Sequence, residues 1–291
     1  MRIVLSLLVL LTSMQAVAQR AFYGRITDKE GQPIPFAVVQ VKDRNEGAYT
    51  NENGQFALIV NTDSAQALIF YCMGYEKREM QLAGIPRDSV HIQLGRTSNT
   101  LRTVTIKEKA GKSKKRVLGR KRMKHLSDCY EKYGDEDVVF LKTDGKRRGT
   151  LKEIRVFITA EGAPDSKFRI HVYEKDPATN MPGTEITDSN LILHGTKGNE
   201  WVRADVSSRH IPVGDGVFIS VEWISGHGNT DLAMQSQKHT EVSAHNGQVL
   251  GLALNYGVPY MYHREAFHKE WLPIQADHLC PMIYGVFTYI K

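Results

Sequence analysis

Cysteine is scarce in this chain. Cys72, Cys129 and Cys280 are the only three in 291 residues, odd in number and far apart. That excludes a disulfide framework and leaves room for one bridge at most, in an oxidising compartment. Cys72 lies in an apolar strand-like run, where a thiol behaves as a small hydrophobe. After residue 18 no apolar run approaches the roughly 20 residues that a membrane-spanning helix needs. No window carries a 3.6-residue apolar stripe, so amphipathic helices are not expected. A G-x-S-x-G elbow, a Walker loop and a dinucleotide fingerprint are all missing, which removes the commonest nucleophile and phosphate-binding signatures.

Charge is present but unevenly spread. The formal net charge is +6, yet the segment from Lys107 to His125, KEKAGKSKKRVLGRKRMKH, holds ten Lys or Arg and one Glu, a net of +9. The other 28 basic and 31 acidic residues leave the rest of the chain at −3. Basicity therefore belongs to one segment. It reads as a solvated linker or a charged first strand, with an anionic membrane surface as its other candidate partner. The N-terminus explains why nucleic acid is not an expected partner. MRIVLSLLVLLTSMQAVAQ combines Arg2, an apolar stretch from Ile3 to Leu11 and the small-residue site Ala16-Val17-Ala18, the order of a secretory signal peptide over 1–18. No cysteine follows the cleavage site to take a lipid. The expected location is the periplasm or cell surface, as a secreted protein or one held at the outer membrane through partners.

The mature chain reads as strands. AFYGRIT, FAVVQVK, QFALIV, ALIFY, EKREMQL, VHIQL and TVTIK occur between residues 21 and 107, separated by turn signals about every 8–12 residues, the spacing of a sandwich. Within TNENGQFALIV, Asn51-Glu52-Asn53-Gly54 resembles the start of a calcium loop but lacks the downstream carboxylates. Asn-Gly is a strong hairpin signal, so Asn51 and Gly54 are read as a structural turn that binds no calcium. Phe56, Leu58 and Val60 would then face the core.

Three stretches together carry a resemblance. They are Gly24-Arg25-Ile26-Thr27-Asp28 with Gly31-Gln32-Pro33-Ile34, Thr50 to Gly54-Gln55-Phe56, and Phe70-Tyr71-Cys72-Met73-Gly74-Tyr75-Glu76. In this order they resemble the carboxypeptidase-like regulatory domain over residues 20–107. The resemblance implies a prealbumin-like sandwich of about seven strands and an origin among exported proteins of Bacteroidetes-type bacteria. Asn51 stands where that family more often has Asp, and Cys72 where a small or β-branched residue is usual. Gly74 is read as a second structural turn.

Beyond a basic linker at 108–125, residues 126–291 form a second unit. EIRVFIT and KFRIHVYE alternate at period two, and LILHG, WVRADVSS, GVFISVEWI, GLALNYG and MIYGVFTYI complete about eight strands. GVFISVEWI reads as a fully apolar central strand. A jelly-roll-like antiparallel sandwich is expected. The half resembles the uncharacterised C-terminal region that accompanies the regulatory domain in some exported proteins, which implies a topology and no activity. The fold class is thus all-β, a prealbumin-like sandwich followed by a jelly-roll-like one.

Chemistry is sparse. His171-Val172-Tyr173-Glu174 fits the H-x-x-E letters of a zinc peptidase, but residues three apart on a strand point to opposite faces. Peptidase activity is not expected. His263, His268 and His278 fall close together with Glu265, Glu270 and Cys280; their spacing fits no standard zinc pattern, so neither metal nor cofactor is assigned. His227 and His239 are read as loop residues. Tyr256, Tyr260, Tyr262, Phe267 and Trp271 concentrate aromatics in turn-rich sequence, a candidate surface for stacking on sugars or anchoring peptides. The expected function is an exported, non-enzymatic binding or assembly protein whose partner is an envelope protein or glycan. The rivals are a carbohydrate-binding module and a metal-dependent hydrolase using the C-terminal His/Glu cluster.

Overall fold

A computed structural model describes residues 19–61, 66–86, 89–97, 113–119, 121, 124–129, 132–224, 247–254, 258–274 and 279–290. The expected signal peptide at 1–18, the TVTIK strand, His227, His239, Tyr256 and His278 lie outside the described residues. No helix among those described is long and apolar enough to cross a membrane.

The first unit contains β1 (Gln19–Asp28), β2 (Val38–Val41), β3 (Gly47–Tyr49), β4 (Gln55–Asn61), β5 (Ala67–Tyr71), β6 (Arg78–Gln81) and β7 (Val90–Leu94). One sheet has the order β4-β1-β7 and the other β3-β2-β5-β6. β1 pairs with β4 antiparallel and with β7 parallel. Phe22, Ile26, Val39, Phe56, Leu58, Val60, Phe70 and Ile92 fill the space between the sheets. β3, only three residues long, was not legible from its sequence; Gly47 is its first residue, and a Cβ there would lie 2.8 Å from the Phe267 ring.

Asn51 behaves as the turn reading requires. Its Oδ1 accepts the backbone N–H of Asn53 at 3.0 Å and of Gln55 at 2.9 Å. Gly54 has φ +73°, and its N–H donates to the Asn51 carbonyl at 2.9 Å. The side chain that a cation would have used is occupied by its own backbone. Gly74 also sits at positive φ, +82°.

The second unit contains β8 (Ser113–Leu118), β9 (Ser127–Cys129), β10 (Glu136–Lys142), β11 (Gly149–Gly162), β12 (Phe168–Lys175), β13 (Pro182–Glu185), β14 (Leu191–Leu193) and β15 (Glu200–Asp205). It continues with β16 (Pro212–Val213), β17 (Gly216–Trp223), β18 (Gln248–Leu254), β19 (Met261–Arg264), β20 (Leu272–Pro273), β21 (Leu279–Pro281) and β22 (Ile283–Ile290). One sheet runs β13-β12-β17-β10-β19-β20; the other runs β21-β18-β11-β22-β8, with β15 and β16 also on β11. From β10 onward the long strands alternate between sheets, so the chain repeatedly crosses the sandwich. Val139, Leu141, Ile154, Val156, Ile170, Val172, Ile219, Val221 and Phe287 meet between them. The result is an antiparallel sandwich with more strands than the eight expected; among those not anticipated, β8 and β10 are six and seven residues long, and the others are two to four.

Two expectations need correction. The linker at 108–125 contains β8, which pairs with β22 from Ser113 opposite Ile290 to Leu118 opposite Gly285. β8 ends its sheet, and Lys114 and Lys115 on it are exposed; lysines on an edge strand disfavour pairing with other chains. β17 is not fully apolar either. Val217, Ile219 and Val221 enter the core, while Ser220 and Glu222 take the opposite face.

Replacing Gly54 tests the turn. A β-branched residue is disfavoured at this φ, and a Cβ would lie 2.4 Å from the Ile26 carbonyl oxygen. Gly54→Val is expected to cost more than about 1 kcal/mol and to lower the melting temperature by roughly 5 °C. An unchanged melting temperature would remove this turn from the stability of the fold.

Candidate functional site

The outer face of the β12-β17-β10-β19 sheet carries a dense cluster of buried titratable groups. Alternation along β12 sends Phe168, Ile170 and Val172 inward, which turns Arg169, His171 and Tyr173 outward. In register, Arg169 lies opposite Glu222, Glu222 opposite Glu136, and Glu136 opposite Arg264. Four neighbouring strands thus contribute one row of charges in the order plus, minus, minus, plus.

Each carboxylate in the row is saturated. Glu222 accepts from Arg169 Nη1 at 2.9 Å and from the Tyr49 hydroxyl at 2.5 Å. Glu136 accepts from the Tyr173 hydroxyl at 2.7 Å, the Ser220 hydroxyl at 2.5 Å and the Arg264 guanidinium. His171 sits between carboxylates, with Nδ1 2.6 Å from Glu185 and Nε2 3.0 Å from Glu222. Two acceptors require both ring nitrogens to donate, so His171 is an imidazolium. Burial opposes that charge, but Glu136, Glu185 and Glu222 outweigh it and hold the His171 pKa at about 10. Burial would likewise raise Glu222, yet Arg169 and His171 pull it well below the usual carboxylate range. Glu136 is lowered against its own burial by Arg264 and His171.

The row is covered by the first unit. Tyr49 comes from β3, and Arg169 Nη2 donates to the Phe36 carbonyl at 2.5 Å. Around these polar contacts Phe36, Val38 and Tyr49 pack with Tyr133, Ile224 and Phe267 in one apolar cluster. The Tyr49 ring lies 5.2 Å from Tyr133 and 5.3 Å from Phe267. Gln40 donates to the Phe267 carbonyl at 2.8 Å, and Asn190 to Cys72 Sγ at 3.0 Å. The two sandwiches therefore share a core with a charged centre.

The covering unit has a family. Residues 22–106 match the CarboxypepD_reg-like domain. The sequence motifs at Gly24, Gly54 and Gly74 lie within that match. No curated protein matches the chain. Among solved structures, the cysteine protease and lectin-like domains of Cwp84, a surface layer associated protein of Clostridium difficile, align at 10% identity and TM-score 0.39 over 91% of this chain. This chain spans only 61% of that one. A Bacteroides uniformis protein named for a proposed carbohydrate-binding role aligns at 12% identity and TM-score 0.23, covering 94% of this chain and 99% of its own. A streptococcal ancillary pilin aligns at 10% identity and TM-score 0.21, covering 66% and 51%.

The residues expected to form a site are distributed differently. Phe267 is 9% exposed and packs beneath the CarboxypepD_reg-like domain; Tyr262 is 7% exposed, its ring 5.9 Å from Phe218. The open aromatic surface is corrected for both: Tyr262 lies on β19, packed with Phe140 and Phe218, and Phe267 follows that strand into the apolar cluster with Tyr49 and Tyr133. Trp271 stands edge-on to Tyr173, with the Arg264 guanidinium 4.2 Å from its ring centre, and Tyr260 leans on Phe140. His263 pairs with Asp137 at 3.0 Å, whereas His268 faces Glu265 at 3.4 Å and Asn45. These two histidines thus serve different carboxylates, and no cluster of three metal-ligating side chains occurs among the described residues. Glu174 is exposed near the end of β12 while His171 is buried, and the two lie on opposite faces of the strand. No disulfide joins Cys72, Cys129 and Cys280.

The network went unread in the sequence. Its one local signal is Glu222 within GVFISVEWI, a carboxylate at a position where the neighbouring residues are apolar.

Two experiments test it. Arg169→Met leaves Glu222 buried without its main cation and is expected to destabilise the protein by about 3–5 kcal/mol in urea unfolding; a loss below about 1 kcal/mol would mean the pair behaves as a surface one. The second is a pH series. A raised histidine pKa contributes stability that is complete below the ordinary value of 6.5 and is lost as pH rises towards about 10. Wild-type stability should therefore fall between pH 6.5 and 9, and His171→Gln should flatten that slope. A flat wild-type profile would contradict the imidazolium.

Proposed function

We propose that this chain is an exported, non-enzymatic binding or assembly protein of the bacterial envelope, in which the CarboxypepD_reg-like domain is a fixed brace for the second sandwich. One observation carries the reading. The cluster best equipped for acid–base chemistry, Glu136 with Glu222 and His171, is buried, ion-paired and capped by Tyr49. Catalysis needs a group that can exchange protons with a substrate near working pH, and the shifts here run the opposite way, fixing each charge. A docked brace also holds the second sandwich rigid, as a binding platform requires. The leader sequence supports export, and the resemblance of the first unit supports a Bacteroidetes-type source.

The test combines location, retention and turnover. Protein from the native host should begin near Gln19 by intact mass, and the mature chain should co-sediment with its envelope fractions. Peptide and ester substrates, with and without zinc, should show no turnover sensitive to Glu222→Gln. Turnover abolished in a folded Glu222→Gln variant, or no retention by any envelope fraction, would overturn the proposal.

A further inference from the structure

Among the described residues, the CarboxypepD_reg-like domain covers one sheet of the second sandwich and does not cover the outer face of the other. On that face β15, β11, β22 and β8 lie side by side. Phe157 is opposite Trp201, and Arg155 is opposite both Arg203 and Tyr284. The rings form a continuous row, with Tyr284 and Trp201 centred 4.8 Å apart, Trp201 and Phe157 5.4 Å, and Phe157 and His125 5.6 Å. Trp201 and Phe157 remain half-exposed. A depression of about 600 Å3 opens over Trp201 and Tyr284, walled by Lys115, Arg116, Lys121, Arg155 and Glu153.

We propose that this depression binds an anionic polysaccharide, one whose sugars carry carboxylates. The inference rests on the reading of this chain as a binding protein and names its ligand class. Three features select the ligand. The partly exposed Trp201 indole, backed by the buried Tyr284 ring, offers amphipathic contact area for the C–H face of a pyranose. Glu153 is held by Arg155 Nη2 at 3.0 Å and Arg203 Nη2 at 3.1 Å, so a carboxylate acceptor alternates with guanidinium donors along the groove. That pattern suits hydroxyls interspersed with carboxylates, since Arg takes a carboxylate by paired hydrogen bonds and Glu153 can accept from hydroxyls. Lys115 and Lys121 are exposed on the opposite wall and make no ion pair among the described residues; Arg116 beside them is paired with Asp144 at 2.7 Å, so the two lysines are the cations left for a ligand on that wall. A bilayer would need projecting apolar side chains, and this face is concave.

The experiment is calorimetric titration of the mature chain with oligogalacturonate, with neutral dextran oligosaccharide, an oligodeoxynucleotide and phosphatidylglycerol vesicles as the other arms. Oligogalacturonate should bind, more weakly as salt rises, and Trp201→Ala should weaken it by about tenfold while Trp201→Phe retains most of the affinity. A Lys115→Glu/Lys121→Glu variant, altered only at exposed positions, should also lose binding and keeps the test decisive if Trp201→Ala misfolds. Equal affinity in the lysine variant and wild type, equal binding of dextran, or preference for the oligonucleotide or vesicles would overturn the proposal. So would absence of oligogalacturonate binding in a chain that envelope fractions still retain, which would leave the broader function standing.

Discussion

Arg169, Glu222, Glu136 and Arg264 are charges taken out of water, and the rest of the structure depends on how they neutralise one another. Burying one ion costs several kcal/mol, and two adjacent carboxylates add repulsion. The row tolerates this because a guanidinium stands at each end and the His171 imidazolium bridges Glu222 to Glu185. The arrangement also fixes strand register. A slip of one residue on β12 or β17 would turn Arg169 or Glu222 into the apolar core and expose the Ile170 or Val221 face.

The same row sets the relation between the two sandwiches. Tyr49 can cap Glu222 only because β3 approaches closely, and Gly47 permits that approach, a Cβ there meeting the Phe267 ring. The Phe36 carbonyl gives Arg169 a second acceptor. Apolar burial by Phe36, Tyr49, Tyr133 and Phe267 supplies the attraction, and the polar contacts within it specify one orientation. Removing Tyr49 would leave Glu222 short of a donor in a place that water reaches poorly, which is costlier than losing an exposed hydrogen bond.

Docking divides the labour of the second sandwich. One sheet spends its outer face on the CarboxypepD_reg-like domain, so its tyrosines and histidines become structural. The other keeps Trp201 and Phe157 half-exposed beside arginines and lysines, bounded by the basic edge strand β8. The basic segment thus has a structural part at a sheet edge, and its Lys115 and Lys121 line the depression.

Local sequence determined what depends on neighbours along the chain. Asn51 to Gly54 is legible as a turn because an Asn side chain caps its own backbone and Gly accepts positive φ. The period of two in KFRIHVYE fixed which β12 side chains face inward. The order of motifs at Gly24, Gly54 and Gly74 identified the first domain. Tertiary structure alone decided the partners. Glu222 meets Arg169, Glu136 and Tyr49 across separations that no periodicity spans, and β3 is too short to announce itself. The aromatics from Tyr260 to Trp271 resemble a binding loop in isolation; whether such rings face ligand or core depends on what lies beneath them, and Tyr49, Phe140, Tyr173 and Phe218 are there to receive them.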